Sequence, residues 1–333
     1  MRPFIVIAVT LVHIAAIYGL ARSASPGRAN QPPEDPLPGP EQTSPGTPPT
    51  PPPETGIITP SDLDDRSASL TPNPAVVRKK SSCKSGILVD WTNRQILWRR
   101  RDTTVTAIAS LTKMMTACLL LEAVEARPEL SLSTPVRVTP GAAKIAGSQV
   151  YLDPRETFPV QDLLKSIMIF SANDAAYLIA EFLGGGDPQT FVRAMNDQAK
   201  TFGLQNTHFL NPHGLPSAGR KENQSTALEM ACLAGQLLEY PEIVRWSSTW
   251  LSYLRQNTQK PFQLVNRNRL VNPSEGVSGV NGMKTGFTSK AGYCVAATCT
   301  RSSRTLIAVV TGCPTSKERN SLGEALLEWG YAP

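Results

Sequence analysis

Apolar residues fall into short runs whose spacing changes along the chain. Ser85–Asp90 (SGILVD) and Gln95–Arg99 (QILWR) are compact apolar stretches separated by Trp91-Thr92-Asn93-Arg94, a pattern that predicts a hairpin opening a sheet. From Leu111 to Val124 apolar residues are dense and unbroken by Gly or Pro, which predicts a buried helix. Gly, Pro and Ser then punctuate the chain to about residue 160. Val160–Phe170 is helical by pattern and Ser171-Ala172-Asn173 interrupts it. Asp174 is placed to cap a second helix, which runs through Leu183 to the stop at Gly184-Gly185-Gly186. Thr190–Phe202 is another helix, ended by Gly203. Near the C-terminus the period changes, and Gly282–Thr288, Tyr293–Thr300 and Thr305–Thr311 read as three strands. Arg301-Ser302-Ser303-Arg304 turns the last pair, and a closing helix runs from about Ser316 to Trp329. Strands at both ends of a helical middle predict a sheet built from both termini with a helical lobe inserted, an α+β fold.

Composition divides the chain before it says anything of chemistry. With 41% apolar and 18% charged residues among 333, neither a polytopic membrane protein nor an acidic disordered chain fits. The prolines are uneven: 15 of the 29 lie between residues 24 and 80. Residues 26–80 have few aromatics and no apolar period, so they are expected to form an extended, disordered tether. Residues 81–333 remain as one catalytic-sized region. Its sheet lobe is expected from about 81–125 and 276–333, with the helical lobe at about 126–275.

Residues 1–25 carry an address. Arg2 precedes an apolar run of 17 residues from Phe4 to Leu20, followed by Ala21-Arg22-Ser23. That is an export signal cleaved after Ser23, or a retained N-terminal membrane anchor at the lower limit of spanning length. Either places the remainder outside the cytoplasm, in the periplasm or cell envelope. In such a compartment disulfides persist. Cys118 and Cys232 sit in helical apolar patterns and read as core. Cys83, Cys294, Cys299 and Cys313 lie in or beside strands, where one bridge is conceivable without an assigned pairing.

The net charge of +6 is spread along the chain, which argues against nucleic-acid binding. No His-x-x-x-His or Cys-x-x-Cys spacing occurs, so the usual zinc arrangements are unsupported, and neither a metal nor an organic cofactor is expected. Only three histidines exist, and His213 before Gly214 reads as a turn residue rather than a base.

Three short motifs follow one another: Ser110-Leu111-Thr112-Lys113, Ser171-Ala172-Asn173 and Lys284-Thr285-Gly286. On a helix, positions i and i+3 share a face, so the Lys113 amine reaches the Ser110 hydroxyl. Ser110 near the helix start also meets the positive end of the dipole, which favours a developing alkoxide. Lys113 can act as a base only when neutral. Partial burial beside a second cation, with Lys284 the candidate, would lower its proton affinity.

Together these residues resemble the serine D-alanyl-D-alanine carboxypeptidases, the low-molecular-mass penicillin-binding proteins. The similarity covers about residues 83–331. It extends to Gly203-Leu204-Gln205-Asn206-Thr207, His213-Gly214-Leu215, Asn266-Arg267-Asn268-Arg269-Leu270 and Gly282-Met283-Lys284-Thr285-Gly286-Phe287-Thr288. The resemblance implies a β-lactamase/DD-peptidase-like antiparallel sheet flanked by helices. It implies a peptidoglycan stem peptide ending in D-Ala-D-Ala as substrate and β-lactams as covalent inhibitors. By the same resemblance Ser110 attacks the carbonyl and Lys113 takes its proton. Ser171 lies in the proton relay, Asn173 holds the substrate amide and Lys113, and Lys284 shapes the field. Backbone N–H groups of Ser110 and Phe287 form the oxyanion hole beside Gly286, while Thr285 and Arg319 bind the terminal carboxylate. No Glu-x-x-Leu-Asn run stands between Ser110 and Lys284, which argues against an efficient lactamase. A DD-endopeptidase with the same machinery and a β-lactam sensor without turnover are the competing readings. Many relatives continue into a β-rich second domain with a C-terminal membrane helix. This chain ends at Pro333, so anchoring is expected at the N-terminus instead.

Overall fold

The computed structural model describes residues 56–332. The expected signal or anchor and residues 26–55 of the expected tether lie outside the described residues. Among the described residues, no helix is long and apolar enough to cross a membrane.

A central sheet collects six strands: β1 (Asp64–Asp65), β2 (Ser85–Asp90), β3 (Gln95–Arg100), β4 (Val280–Thr288), β5 (Gly292–Arg301) and β6 (Arg304–Cys313). Their order across the sheet is β1-β3-β2-β6-β5-β4, so the N-terminal hairpin and the C-terminal meander join through β2 and β6. Val89 faces Ile307 and Ile87 faces Val309 across that seam. Five strands run antiparallel, as expected, while β1 adds a short parallel edge along β3.

The central strands are apolar on both faces because both are covered, whereas the edge strand β1 is exposed. Leu88, Val295, Leu306 and Val310 point to one side and pack with Leu322 and Leu326 of the closing helix Ser316–Tyr331. The alternate residues Ile87, Val89, Ala296 and Val309 point to the other, into the large core shared with the helices of the middle region. The helix Lys113–Ala126 lies in that core, with Met114, Met115, Leu120 and Leu121 buried. The two expected lobes therefore share one core.

The first boundary needs correction. Residues 56–80 were expected to belong to the tether, but they fold against the sheet. Arg66 N donates to Ile96 O at 2.9 Å, and Gln236 Nε2 donates to Ile58 O at 3.0 Å. Val76, in the short helix Pro74–Lys79, is fully buried beside the closing helix. Single apolar anchors between prolines carry no period, so their burial exists only once β3 and the closing helix offer surfaces to cover.

All six cysteines are free and buried, so no bridge forms between the strand cysteines. Asp174 is also not the cap of its helix. The helix is Asn173–Leu183 with Ala172 at the cap, and Asp174 turns its carboxylate to the neighbouring loop.

Candidate active site

Ser110 sits in a single 3₁₀ turn, Ala109–Thr112, that leads directly into the helix Lys113–Ala126. The approach is tight. Ala109 takes a positive φ of 47°, and Gly214 (φ 87°) packs so close that a Cβ there would stand 2.0 Å from Ala109 O. Only glycine fits that position, which explains the His213-Gly214 pair in the sequence.

Lys113 is completely buried, yet its amine is fully partnered. Nζ lies 2.9 Å from Ser110 Oγ, 2.7 Å from Asn173 Oδ1 and 2.6 Å from His213 O. The last two are carbonyl oxygens and can only accept. In its neutral form the amine has two N–H bonds and one lone pair, so those oxygens would take both N–H bonds and leave the lone pair for the Ser110 hydroxyl. Burial holds the amine well below the ordinary lysine range, and the nearby Lys284 lowers it further, against an opposing pull from Asp174.

Ser171 arrives by a local irregularity. The helix Val160–Lys165 widens into a π turn, Ser166–Phe170, which ends with Ser171 in the left-handed region at φ 69°, ψ 35°. Lys284 on β4 meets it, with Nζ 2.8 Å from Ser171 Oγ and 2.9 Å from Thr285 O. Burial pushes Lys284 down to about 7, helped by the guanidinium groups of Arg267 and Arg319.

Asn173 bridges two layers. Its Oδ1 accepts from Lys113, its Nδ2 donates to Ala146 O at 2.8 Å, and its backbone N–H donates to Ser148 O at 2.7 Å. Asp174 pins the same loop by accepting from Val150 N (3.1 Å) and Leu152 N (3.2 Å). Gly286 brings β4 against the Ser110 turn, since a Cβ there would lie 2.9 Å from Ser110 N and 3.0 Å from Ile108 O.

Above these groups opens a cleft of about 650 Å³ lined by Ser110, Ser171, Thr285, Gly286, Phe287 and Arg319. Arg319 is buried, and among the described residues its guanidinium meets Asn320 Oδ1 but no carboxylate. Of the nine residues expected at the site, six line this cleft, and Lys113, Asn173 and Lys284 lie among the groups directly beneath it. Ser148, Trp250 and Arg267 line it too. Arg267 stood in a quoted motif without a role, while Ser148 and Trp250 carried no signal of spacing or chemistry. His213 is a turn residue as read, its Nδ1 accepting from Leu215 N at 3.2 Å. Burial beside Lys113 pushes the imidazole down to about 3, so it stays neutral.

The site brings a lysine amine against a serine hydroxyl and a second lysine against a second serine, with a buried guanidinium lining the cleft. Known proteins resemble this chain over most of the folded region. D-alanyl-D-alanine carboxypeptidase DacF of Bacillus subtilis (strain 168) is 40% identical over 249 residues, covering 75% of this chain and 62% of that protein. The chain thus spans about three fifths of the length of that relative. Among solved structures, penicillin-binding protein 5 from Haemophilus influenzae superposes with a TM-score of 0.70 at 31% identity, covering 79% of this chain and 72% of that one. Penicillin-binding protein D2 from Listeria monocytogenes, in its ampicillin-bound form, gives 0.66 at 31% identity, covering 75% of this chain and 98% of that one. Residues 71–315 match the peptidase S11 family, described as D-alanyl-D-alanine carboxypeptidase, and this chain belongs to that family.

Proposed function

We propose that the protein is a serine D-Ala-D-Ala carboxypeptidase that removes the terminal D-alanine from peptidoglycan stem pentapeptides through an acyl-enzyme on Ser110. The observation that carries this reading is the set of contacts around Lys113, which leaves a lone pair for one hydroxyl and for nothing else. Ser110 Oγ attacks the carbonyl between the two D-alanines as Lys113 takes its proton. Negative charge on the carbonyl oxygen is met by the N–H groups of Ser110 and Phe287, preorganised donors of the kind acyl transfer uses. Ser171, bonded to Lys284, returns a proton to the leaving amine. Asn173 holds the substrate amide, and Thr285 with Arg319 grips the terminal carboxylate. Water then releases the shortened peptide. A β-lactam enters the same cleft, acylates Ser110 and stays.

A buried arginine fork without a carboxylate partner among the described residues supports a substrate with a free C-terminus, and so a carboxypeptidase before an endopeptidase. The apolar run Phe4–Leu20 supports a location outside the cytoplasm, in the periplasm or envelope, reached by an export signal or held by an N-terminal anchor.

The test is release of D-alanine from diacetyl-Lys-D-Ala-D-Ala, with and without penicillin, by the wild-type chain and Ser110→Ala. Release that penicillin blocks and that Ser110→Ala lacks supports the reading. Persistent penicillin labelling with no D-alanine release supports a sensor, and turnover by Ser110→Ala defeats the assignment of the nucleophile.

A further inference from the structure

Cations that lie far apart in the sequence gather at one end of the sheet. Because neighbouring strands alternate in direction, β2 and β5 begin where β3, β4 and β6 end. Lys84 immediately precedes β2, and Arg101 immediately follows β3. Lys290 lies in the turn from β4 to β5, where its carbonyl accepts from Lys84 Nζ at 3.5 Å. Lys317 stands in the first turn of the closing helix, just past β6. Lys221 is brought to the same end by its neighbour Glu222, whose carboxylate accepts from Thr288 Oγ1 at 2.7 Å, at the last residue of β4. Lys80 follows the short helix Pro74–Lys79 and lines a hollow of about 330 Å³ with Val77, Trp98 and Arg100. All six cations are exposed.

None of the six takes part in an ion pair among the described residues. The carboxylates at this end are already engaged. Asp102 pairs with Arg99 at 2.9 Å, Glu222 holds Thr288, and Glu318 accepts from Thr315 Oγ1 at 2.8 Å. Like charges collected in this way repel one another, and anions from outside the chain relieve that repulsion. Two apolar side chains stand exposed among them. Val77 is 46% exposed beside Lys80, and Val105 is 44% exposed in the segment that follows Arg101. Thr106, the next residue, meets Thr311 Oγ1 through its own hydroxyl at 3.4 Å, near the end of β6.

A soluble polyanion would engage the cations and gain nothing from exposed valines. A bilayer surface with acidic headgroups engages both, since lysine and arginine meet the phosphates while apolar side chains enter the boundary with the acyl chains. We propose that this end of the sheet docks on an anionic phospholipid membrane. The cations concerned are not among the residues assigned to the cleft chemistry, and the docking does not depend on the carboxypeptidase reading.

The experiment uses the full chain with a local readout, so that the apolar run Phe4–Leu20 acts equally in every sample. An environment-sensitive thiol dye (NBD) is attached at Val105→Cys, or at Ser303→Cys in the β5–β6 turn at the opposite end of the sheet. The six native cysteines are buried and leave the introduced thiol as the exposed one. Vesicles are phosphatidylcholine alone, or equal parts phosphatidylcholine and phosphatidylglycerol. Emission from position 105 is expected to rise and shift to the blue with the mixed vesicles only, and emission from position 303 with neither. Lys84→Gln, Arg101→Gln, Lys221→Gln and Lys290→Gln combined are expected to lower docking roughly 10²–10³-fold, which returns the signal to the neutral-lipid level. Labelled-penicillin acylation at the wild-type rate shows that the combined variant keeps its fold. A response at position 105 that is absent or the same with both vesicles overturns the proposal. So does an equal response at position 303, or a combined variant that responds like the wild type. A response to heparin with none to vesicles assigns this end to a soluble polyanion and overturns membrane docking as well.

Discussion

Lys113 Nζ stands 2.9 Å from Ser110 Oγ, in the 3₁₀ turn that leads into the helix Lys113 begins, with its other two contacts both carbonyl oxygens. The lysine therefore has a single hydroxyl to accept from. Replacing it by methionine keeps the volume of the buried stem and removes the base. Acylation by labelled penicillin is expected to fall by roughly 10²–10⁴-fold, the usual worth of a general base. An intact near-UV circular dichroism spectrum would show that the fold is retained, and acylation at the wild-type rate would show that Lys113 is not the base.

The proton must be absent from Lys113 for it to act, so acylation is expected to fall about tenfold per pH unit on the acid side of its titration. Lys284, which titrates about 7 and is charged below that, lowers Lys113 by repulsion. Lys284→Gln removes that cation. The acid limb of the acylation profile is then expected to move to higher pH, on top of any loss of rate. A limb that stays in place would mean that Lys284 does not tune the base.

The same burial has a consequence for stability. Folding lowers Lys284 from the ordinary lysine value of 10.5 to about 7. Between those values the unfolded chain binds the proton and the folded chain does not, so stability rises with pH across that window. Below about 7 both states are charged and the full cost of burying the cation is present. The slope is at most about 1.4 kcal/mol per pH unit for each such lysine. Thermal melts from pH 7 to 10 should show wild-type Tm gaining on Lys284→Gln. Parallel Tm curves would count against a lysine that folds uncharged.

Gly286 has room for a hydrogen and nothing more beside Ser110 N. Gly286→Ala pushes β4 away from the Ser110 turn, which displaces the Phe287 N–H from its partner across the oxyanion position. The expected loss in acylation rate is about 10²–10³-fold, as when one oxyanion donor is removed. Stopped-flow acylation measures it, and a rate within twofold of wild type would argue that the donor pair lies elsewhere.

Arg319 faces the cleft with no carboxylate partner among the described residues. Arg319→Ala is expected to raise KM for a peptide ending in a free D-alanine carboxylate by at least about tenfold, the loss of a charge-assisted bidentate pair. The C-terminal amide of the same peptide should be nearly indifferent to the change. Equal effects on acid and amide would assign Arg319 to structure alone.

Much of this was legible in the sequence because it is local. The SGILVD and QILWR runs, the breakerless helix after Ser110, and the two-residue period from β4 to β6 each report a contact with the core that repeats along the chain itself. The Ser110–Lys113 pair is legible for the same reason, since three residues of helix fix the distance. The motifs at Ser171 and Lys284 were recognisable in order, but nothing in their spacing states that they meet.

What tertiary structure alone decided are the contacts made once. Ser171 meets Lys284 across 113 residues of chain, and His213 O meets Lys113 across 100, with Gly214 giving that carbonyl its approach. Val76 and Ile58 joined the fold only because the sheet edge and a helix end were there to receive them. Asp174, which sequence placed at a helix cap, was taken by a loop 22 residues earlier whose free N–H groups had no other acceptor. Periodicity records what a residue does repeatedly with its neighbours. A single long-range contact leaves no period, and the lowered proton affinity of the amine at the centre of this site depends on several of them at once.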